Sequence, residues 1–345
     1  ILRARFDMSG RVVPASRDPE AGDIAARPIV AERARTSLNR MVDPETRVVM
    51  PAEVPLWRDP SRVGIESDEA PTSVDVAVIG AGIIGLTAMD HLTSNGARAV
   101  LIEAGKPGGG SSTTGSGVVG WSRSLAHPDE VDPRASGFPD LMMVLDGAQH
   151  WFVEYVRSRE LDAGLTVPGS VSIHGPADPG ALGTVHPGDL VESLVRQIRS
   201  DGGALIVDEP LRSISRHTRG FQILTKERKI SAQAVIVATG AASGPHPLGE
   251  LHKRYSIHQG RCLVVRSRPS ILDRVAPTGG TSYTPADRVT VTRRVDDEHA
   301  LVWYPNVGRK PTGPEQLLSA SLPDLSAGAV THDWSDPYAT THDGI

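Results

Sequence analysis

The sequence predicts an α/β fold in which a parallel-sheet unit is followed by a strand-rich α+β part. Three observations predict it. An apolar run over residues 76–79 enters a glycine triplet with a helical pattern behind it. A second apolar run over 99–102 ends on a carboxylate. Several short strand-like runs then fill residues 204–305.

The triplet reads Val76-Ala77-Val78-Ile79-Gly80-Ala81-Gly82-Ile83-Ile84-Gly85, and Ala99-Val100-Leu101-Ile102-Glu103-Ala104 follows. Strand, glycine turn, helix, strand and acid in this order make a dinucleotide-binding βαβ unit, a Rossmann-like arrangement. Gly80 permits a tight turn, Gly82 lets the backbone approach a pyrophosphate, and Gly85 lets the helix pack closely. The helix start offers unpaired N–H groups and the positive end of its dipole to phosphates. Glu103 is placed for a ribose hydroxyl. Glycine-rich turns also occur without ligands, and an ordinary strand–turn–helix is the alternative. Three features count against it: the first strand is apolar throughout, as a doubly covered strand is. The helix carries Gly85, Met89 and Leu92 at helical spacing and ends at Asn95-Gly96, a good cap. The acid stands at the expected distance.

At 345 residues the chain is long enough for one or two cores. A net charge of −5 gives no electrostatic reason to expect a nucleic-acid partner. Aromatic residues are scarce at 4%, which argues against an aromatic substrate cage. Cys262 is the one cysteine, so an internal disulfide and a cysteine-based metal cluster are excluded. It lies in the apolar run 260–265, where a buried side chain is expected. No apolar run approaches the ~18 residues of a membrane helix, and residues 1–7 lack a secretory pattern. A reduced, cytoplasmic setting is expected.

Residues 1–50 are rich in Arg, Asp, Pro and Glu, with a short helical pattern at 29–41, and are expected to form a poorly structured extension. Residues 51–73 form a lead and linker containing Pro55-Leu56-Trp57-Arg58-Asp59. The run Gly109-Gly110-Ser111-Ser112-Thr113-Thr114-Gly115-Ser116-Gly117 follows the acid, at the carboxyl end of strands. It reads as a plain flexible loop or, given its place, as a ligand-contacting one. Residues 139–161 are helical, with Leu141, Leu145, Ala148, Phe152, Tyr155 and Arg159 on one face and Val144, Trp151 and Val156 widening it; core packing explains that stripe. A strand is expected at 169–173. His186-Pro187-Gly188-Asp189 opens a helix over 190–199, ended by Asp201-Gly202-Gly203. Strands follow at 204–207, 211–215 and 221–225. A buried strand from 232 then runs into the small-residue turn Ala238-Thr239-Gly240-Ala241, which again allows close backbone approach. The strand-like runs of 255–305, including 289–293 and 300–304, suit an antiparallel sheet.

Together these segments resemble the FAD-dependent oxidoreductases of the D-amino-acid oxidase (DAO) type. The resemblance rests on residues 76–85, on Leu101-Ile102-Glu103-Ala104, and on the Gly/Ser segment from Gly109 to Gly117. It extends through 169–173, His186-Pro187 and 235–240 to Trp334-Ser335-Asp336 and Asp343-Gly344-Ile345, which look like the start of the family's last segment. The lead around Trp57 is similar to that of the branch holding γ-glutamylputrescine oxidoreductases and Rieske-fused relatives, although one cysteine cannot supply a Rieske cluster. The resemblance implies a discontinuous FAD-binding domain over 74–138 and 186–245. It implies a mixed or antiparallel-sheet substrate domain over 139–185 and 246–330, and a C-terminal FAD-binding segment, cut short, over 331–345. It implies FAD, with Gly80, Gly82, Ile83, Ile84, Gly85, Glu103 and Ala104 on its ADP half. Ser111, Ser112, Thr113, Gly115, Ser116 and Gly117 are then expected toward the flavin, and Thr239 and Gly240 against the cofactor. The implied activity is oxidation of a C–N bond in a small amine or amino acid, by hydride transfer to the flavin. A truncated, non-catalytic flavin-binding relative is the first alternative, and an NAD(P)-dependent enzyme using the same fingerprint is the second. Trp303-Tyr304 departs from the family, which commonly has a Gly pair there.

Catalytic candidates are few. Arg293 or Arg294 would clamp a carboxylate, but solvated strand-end charges beside Asp296, Asp297 and Glu298 are the simpler reading. Tyr283 and Tyr304 suit either a pocket or a core. His246, His252 and His258 recur every six residues, which fits no metal-ligand spacing. Lys106 and Arg123 flank the Gly/Ser segment as surface charges or phosphate contacts. No metal site is expected.

Overall fold

The computed structural model describes residues 5–6, 12–13, 55–57, 65–119, 138–167, 170–172, 183–240, 255–276, 281–284, 290–304 and 313–341. The expected helix at 29–41, the histidines at 246 and 252, Arg123 and residues 343–345 lie outside them. Residues 1–50 form a unit of their own, in which two short strands, β1 (Arg5–Phe6) and β2 (Val12–Val13), pair antiparallel.

Residues 51–345 form the second unit, built on two six-stranded sheets. In the first sheet, β3 (Ser73–Ile79) leads through helix α1 (Ile83–Ser94) to β4 (Ala99–Ile102). Short helix α2 (Ser111–Thr114) and strand β5 (Val118–Val119) follow, then helix α3 (Phe138–Ser158). Strands β6 (Ser170–Ser172) and β7 (Gly183–Thr184) precede helix α4 (Pro187–Ser200) and β8 (Ala204–Ile206). A meander of β9 (Leu211–His217), β10 (Gly220–Thr225) and β11 (Lys229–Val237) completes the sheet. Its order is β8-β4-β3-β11-β10-β9, with the first four strands parallel and the last two antiparallel.

The two faces of this sheet read directly from strand alternation. Val78, Leu101 and Leu205 pack against Leu86 and Met89 of α1 and Leu190, Leu194 and Ile198 of α4. Ala77, Ile79, Val100, Ile102 and Ile206 fill the other side with Ile223 and Ile230. Each fully buried Leu or Ile contributes roughly 1.5–3 kcal/mol. Helix α4 starts where His186 Nδ1 accepts the Asp189 amide, with Pro187 in the first turn where its missing N–H costs nothing. Helix α1 stops at Asn95 and Gly96, whose φ of +77° suits glycine.

The second sheet is formed by β12 (Tyr255–Arg266), β13 (Thr281–Thr284), β14 (Thr290–Arg294), β15 (His299–Tyr304) and β16 (Ala329–Thr341), with β6 at its edge, in the order β16-β12-β15-β14-β13-β6. All pairs are antiparallel except β13 with β6. Helices α5 (Pro269–Val275) and α6 (Pro314–Ser321) cover one face, where Leu263, Val265, Val302 and Tyr304 meet Leu272 and Leu318. Strand β16 (Ala329–Thr341), which contains most of the segment 331–345, is an edge strand of this second sheet.

Two expectations about burial are corrected. On α3, Val144, Ala148 and Trp151 are exposed and only Val156 is fully buried; the side chains of Leu141 and Leu145 lie outside the described residues. The 21-residue helix runs about 30 Å at 1.5 Å per residue, and it is its C-terminal end, with Leu161 and Ala163, that enters the core of the first sheet. Strand β11 is not buried throughout: Ser231, Gln233 and Ala234 are exposed, because the sheet turns antiparallel beside it and alternation replaces double coverage. Among the described residues no helix is long and apolar enough to cross a membrane.

A charged knot ties three helices together. Arg159 Nη2 donates to Asp90 of α1 at 2.6 Å and to Asp201, the cap of α4, at 2.5 Å, while the Tyr155 hydroxyl donates to the other Asp90 oxygen at 2.7 Å. Asp90 is 1% exposed, so its charge depends on these donors. Replacing Arg159 by Ala strands a buried carboxylate on one hydroxyl and is expected to cost roughly 2–4 kcal/mol. Urea denaturation would measure it, and Arg159→Lys is expected to restore only part of the loss.

Candidate functional site

The glycine turn and its partners meet at the carboxyl ends of the parallel strands β3, β4 and β11. Gly80 has φ +104°, and a side chain there would place its Cβ 2.5 Å from the Ala238 carbonyl oxygen. The turn after β11, through Ala238 and Thr239, therefore presses directly on the first turn, with Gly240 just beyond it. At Gly85 a Cβ would stand 1.9 Å from the Gly80 carbonyl oxygen. This glycine is required by the turn beneath the helix as much as by the sheet.

The start of α1 is partly satisfied within the protein. Ser112 Oγ accepts the Ile83 amide at 2.8 Å, and the Glu103 carboxylate accepts the Ala81 amide at 2.7 Å and the Gly105 amide at 2.9 Å. Each carboxylate oxygen has two lone pairs, so one per oxygen remains for a ribose hydroxyl. Among the described residues, no group accepts from the amides of Ile84 and Gly85 at the head of the helix dipole. Ile84 beside them is 71% exposed, and Ala104 is exposed past Glu103. These donors, the glycine surface and the acid fit the ADP half of a dinucleotide.

The Gly/Ser/Thr run is more ordered than a loop. Its Ser111–Thr114 stretch forms one helical turn, and Thr113 Oγ1 bonds back to the Gly108 carbonyl at 2.5 Å. That turn and the residue after it are held from three parts of the chain. Ser111 Oγ donates to the Pro337 carbonyl and Thr114 Oγ1 donates to Asp336 Oδ1 at 2.8 Å. The Thr114 carbonyl accepts from Trp334 Nε1 at 2.7 Å and from Cys262 Sγ at 3.4 Å. Trp57 Nε1 donates to the Gly115 carbonyl at 3.0 Å. Gly117, at φ +69°, has no room for a side chain beside the Arg293 guanidinium and the Val185 carbonyl.

Arg293 is not a solvated strand end. It is 8% exposed, its Nη1 donates to the carbonyls of Ser116, Gly117 and Val185, and its guanidinium lies 5.0 Å from the Trp57 ring centre. Burial pushes it down to about 10, so it is still a cation at neutral pH, and its Nε is buried without a partner. Arg294 faces the other side of the strand, where its side chain is 7% exposed and donates to Asp273 and to the carbonyls of Asp296 and Asp297, so neither arginine is a solvated strand end. Tyr304 is a core residue whose hydroxyl meets Ser321 Oγ; burial raises it to about 12. Tyr283 sits in register with Val291 and Ser172 on the second sheet. Lys106 pairs with Asp208 at the surface, and His258 stacks on Tyr338. Among the described residues no cluster suits a metal ion.

Sequence reasoning missed Asp336, which both of its oxygens tie into the site: Thr114 donates to one and Trp303 Nε1 to the other at 2.8 Å. Burial pushes its carboxyl above the ordinary range, against the pull of those two donors. Burial also pushes the Cys262 thiol well up, which keeps it an inert core group. The signal for this cluster was present in the alternation Trp334, Asp336, Tyr338, which places all three on one face of a strand.

The family model of the DAO FAD-dependent oxidoreductases matches residues 75–182 and 175–344, and the chain belongs to this family. It is thus an FAD-dependent oxidoreductase. Solved structures share the fold: glycine oxidase from Geobacillus kaustophilus (20% identity, TM-score 0.59, 80% of this chain and 85% of that one) and L-amino acid deaminase from Proteus vulgaris lacking its specific insertion (17%, 0.62, 84% and 85%). L-proline dehydrogenase from P. horikoshii is similar as well (14%, 0.56, 79% and 83%). No curated protein matches the sequence significantly.

Two outcomes are expected. Gly85→Ala forces its methyl into the Gly80 carbonyl and should abolish FAD retention, read by flavin absorbance after gel filtration. For Asp336, the folded carboxyl titrates above the unfolded one, so its contribution to stability is intact below the unfolded value and lost as pH rises through the folded value. The melting temperature of Asp336→Asn relative to the parent should therefore climb across that window and then level off, in thermal melts over a pH series.

Proposed function

We propose that the chain oxidises a C–N bond of a small amine or amino acid, with FAD spanning the glycine turn and the Ser111–Gly117 segment. The observation that carries this reading is the joint at Thr114. There the segment next to the nucleotide-binding turn is bolted to one face of the second sheet through Asp336, Trp334 and Cys262. Residues of that segment would hold the flavin end of the cofactor, and that face would supply the substrate's surroundings.

FAD supplies the two-electron acceptor when bound. The substrate carbon gives up a hydride and its nitrogen a proton; the resulting imine takes up water and separates into a carbonyl compound and ammonia or an amine. A second acceptor then removes the electrons. The residues of this chain bind and orient. Gly80, Gly82, Ile83, Ile84, Gly85, Glu103 and Ala104 hold the ADP half, and Thr239 and Gly240 close its other side. Ser111, Ser112, Thr113, Gly115, Ser116 and Gly117 line the path to the flavin.

The nucleotide-binding part comprises residues 74–138 and 186–245 in this reading, and 139–185 with 246–330 contribute to the substrate side. The Trp-containing lead belongs to the site, since Trp57 holds the Gly115 carbonyl and stacks edge-on against His186. A carboxylate on the substrate is favoured by Arg293, whose Nε is buried and unpartnered on the site-facing strand.

Reconstitution tests the reading. The purified chain incubated with FAD should show bound-flavin absorbance, and amines or amino acids of either configuration should bleach it anaerobically while releasing a carbonyl product. A chain that takes up no FAD, or whose bound flavin is bleached by none of them, would rule the reading out. Glu103→Gln should weaken FAD binding by about tenfold, the worth of a charge-assisted hydrogen bond over a neutral one, measured by titration.

A further inference from the structure

The side of the second sheet that faces α2 changes character from one end to the other. Alternation places His258, Gly260 and Cys262 of β12 on this side, with their register partners Tyr338, Asp336 and Trp334 of β16. The Cys262–Trp334 pair is buried beneath the Thr114 carbonyl and packs with Trp57 and Leu301. The Gly260–Asp336 pair comes next, closed by the Thr114 hydroxyl and by the Trp303 indole. The His258–Tyr338 pair is outermost, and both rings are half-buried, as is the indole.

Gly260 makes this arrangement possible. The Trp303 indole reaches from β15 across β12 to Asp336 on β16, and a Cβ at position 260 would stand 3.1 Å from Trp303 Nε1. The indole N–H is committed to the carboxylate, so its ring faces are the surface it offers. His258 and Tyr338 stack with ring centres 5.3 Å apart and planes at 24°, and the indole meets Tyr338 edge-on at 5.9 Å and 65°. The three rings form a corner, with one wall for stacking and one for edge-on contact.

Resting on the C–N oxidation reading, we propose that this corner is the subsite for an aromatic side group of the substrate. Its place fits that role. The step from Asp336 to Tyr338 is two residues, about 7 Å along the strand, which puts the corner beyond the cofactor segment by roughly the reach of a benzyl group. Its charge fits too. Among the described residues, the charged side chains on the rows of this face are Asp336, whose two oxygens are already occupied, and Arg293, one row beyond Trp303, whose Nη1 is taken by three carbonyls. A planar apolar group gains offset or edge-on contacts there that an alkyl chain does not. The scarcity of aromatic residues in the chain is therefore no argument against an aromatic cage, because the sheet register gathers three rings from three strands that lie far apart in sequence.

The test uses FAD-loaded protein and two matched pairs, 2-phenylethylamine with butylamine and phenylalanine with alanine in either configuration. The aromatic member of at least one pair should have a kcat/KM higher by about tenfold or more, and should quench indole fluorescence more strongly under anaerobic conditions with the flavin already reduced. Tyr338→Ala and His258→Ala, checked by thermal melts, should each cut that ratio by about fivefold, and Tyr338→Phe should keep it. Turnover with an aliphatic preference, or a ratio unmoved by both alanine variants, overturns the subsite while leaving C–N oxidation standing. Failure to load FAD, or to turn over any compound, removes the C–N reading and the subsite together.

Discussion

The join between the glycine turn and the second sheet centres on the backbone carbonyl and hydroxyl of one threonine. Thr114 accepts from an indole and a thiol and donates to a buried carboxylate, so three groups from two strands of the second sheet converge on a single residue that follows the nucleotide-binding turn. Each bond alone is worth about 1 kcal/mol. Their joint geometry matters more, because a carbonyl with both lone pairs filled and a hydroxyl with a fixed acceptor leave the short helix one orientation. The lead residue Trp57 and the strand residue Arg293 fix the next three carbonyls in the same manner. The site is thus assembled around backbone oxygen atoms, and side chains from four parts of the chain serve as its donors.

The nucleotide-binding half was legible in the sequence because its determinants are local. Gly80, Gly82, Gly85 and Glu103 lie within one βαβ unit, and the strand that precedes them and the helix that follows them carry their own periodicity. The helix opened by His186-Pro187 was legible for the same reason. The second half of the site was not. Asp336 acquires its meaning from Thr114, 222 residues away, and from Trp303 across one intervening strand, and no local pattern announces either pairing. Arg293 misled in the other direction. Flanked by Arg294 and near three acids, it reads as a surface charge, and only the strand's alternation, which sends it to one side and Arg294 to the other, separates the two.

Two buried charges of opposite sign share this site without pairing. Arg293 is solvated by three carbonyl dipoles and an indole face, and Asp336 by a hydroxyl and an indole N–H. Keeping them apart has a clear electrostatic sense. A direct ion pair would cancel both fields, whereas separated and solvated by fixed dipoles each continues to polarise what lies between. The penalty of burial shows in the direction of each shift, the arginine downward and the aspartate upward.

The single turn of α2 also touches the other end of the cofactor path, since Ser112 sits on the first amide of α1 while its neighbours Ser111 and Thr114 are fastened to β16. Four residues thereby act as a rigid strut between a phosphate-sized site and a strand of the substrate sheet. In evolutionary terms, the proposed site makes nucleotide affinity and substrate choice coupled traits: a drift at either end of the strut is read by both.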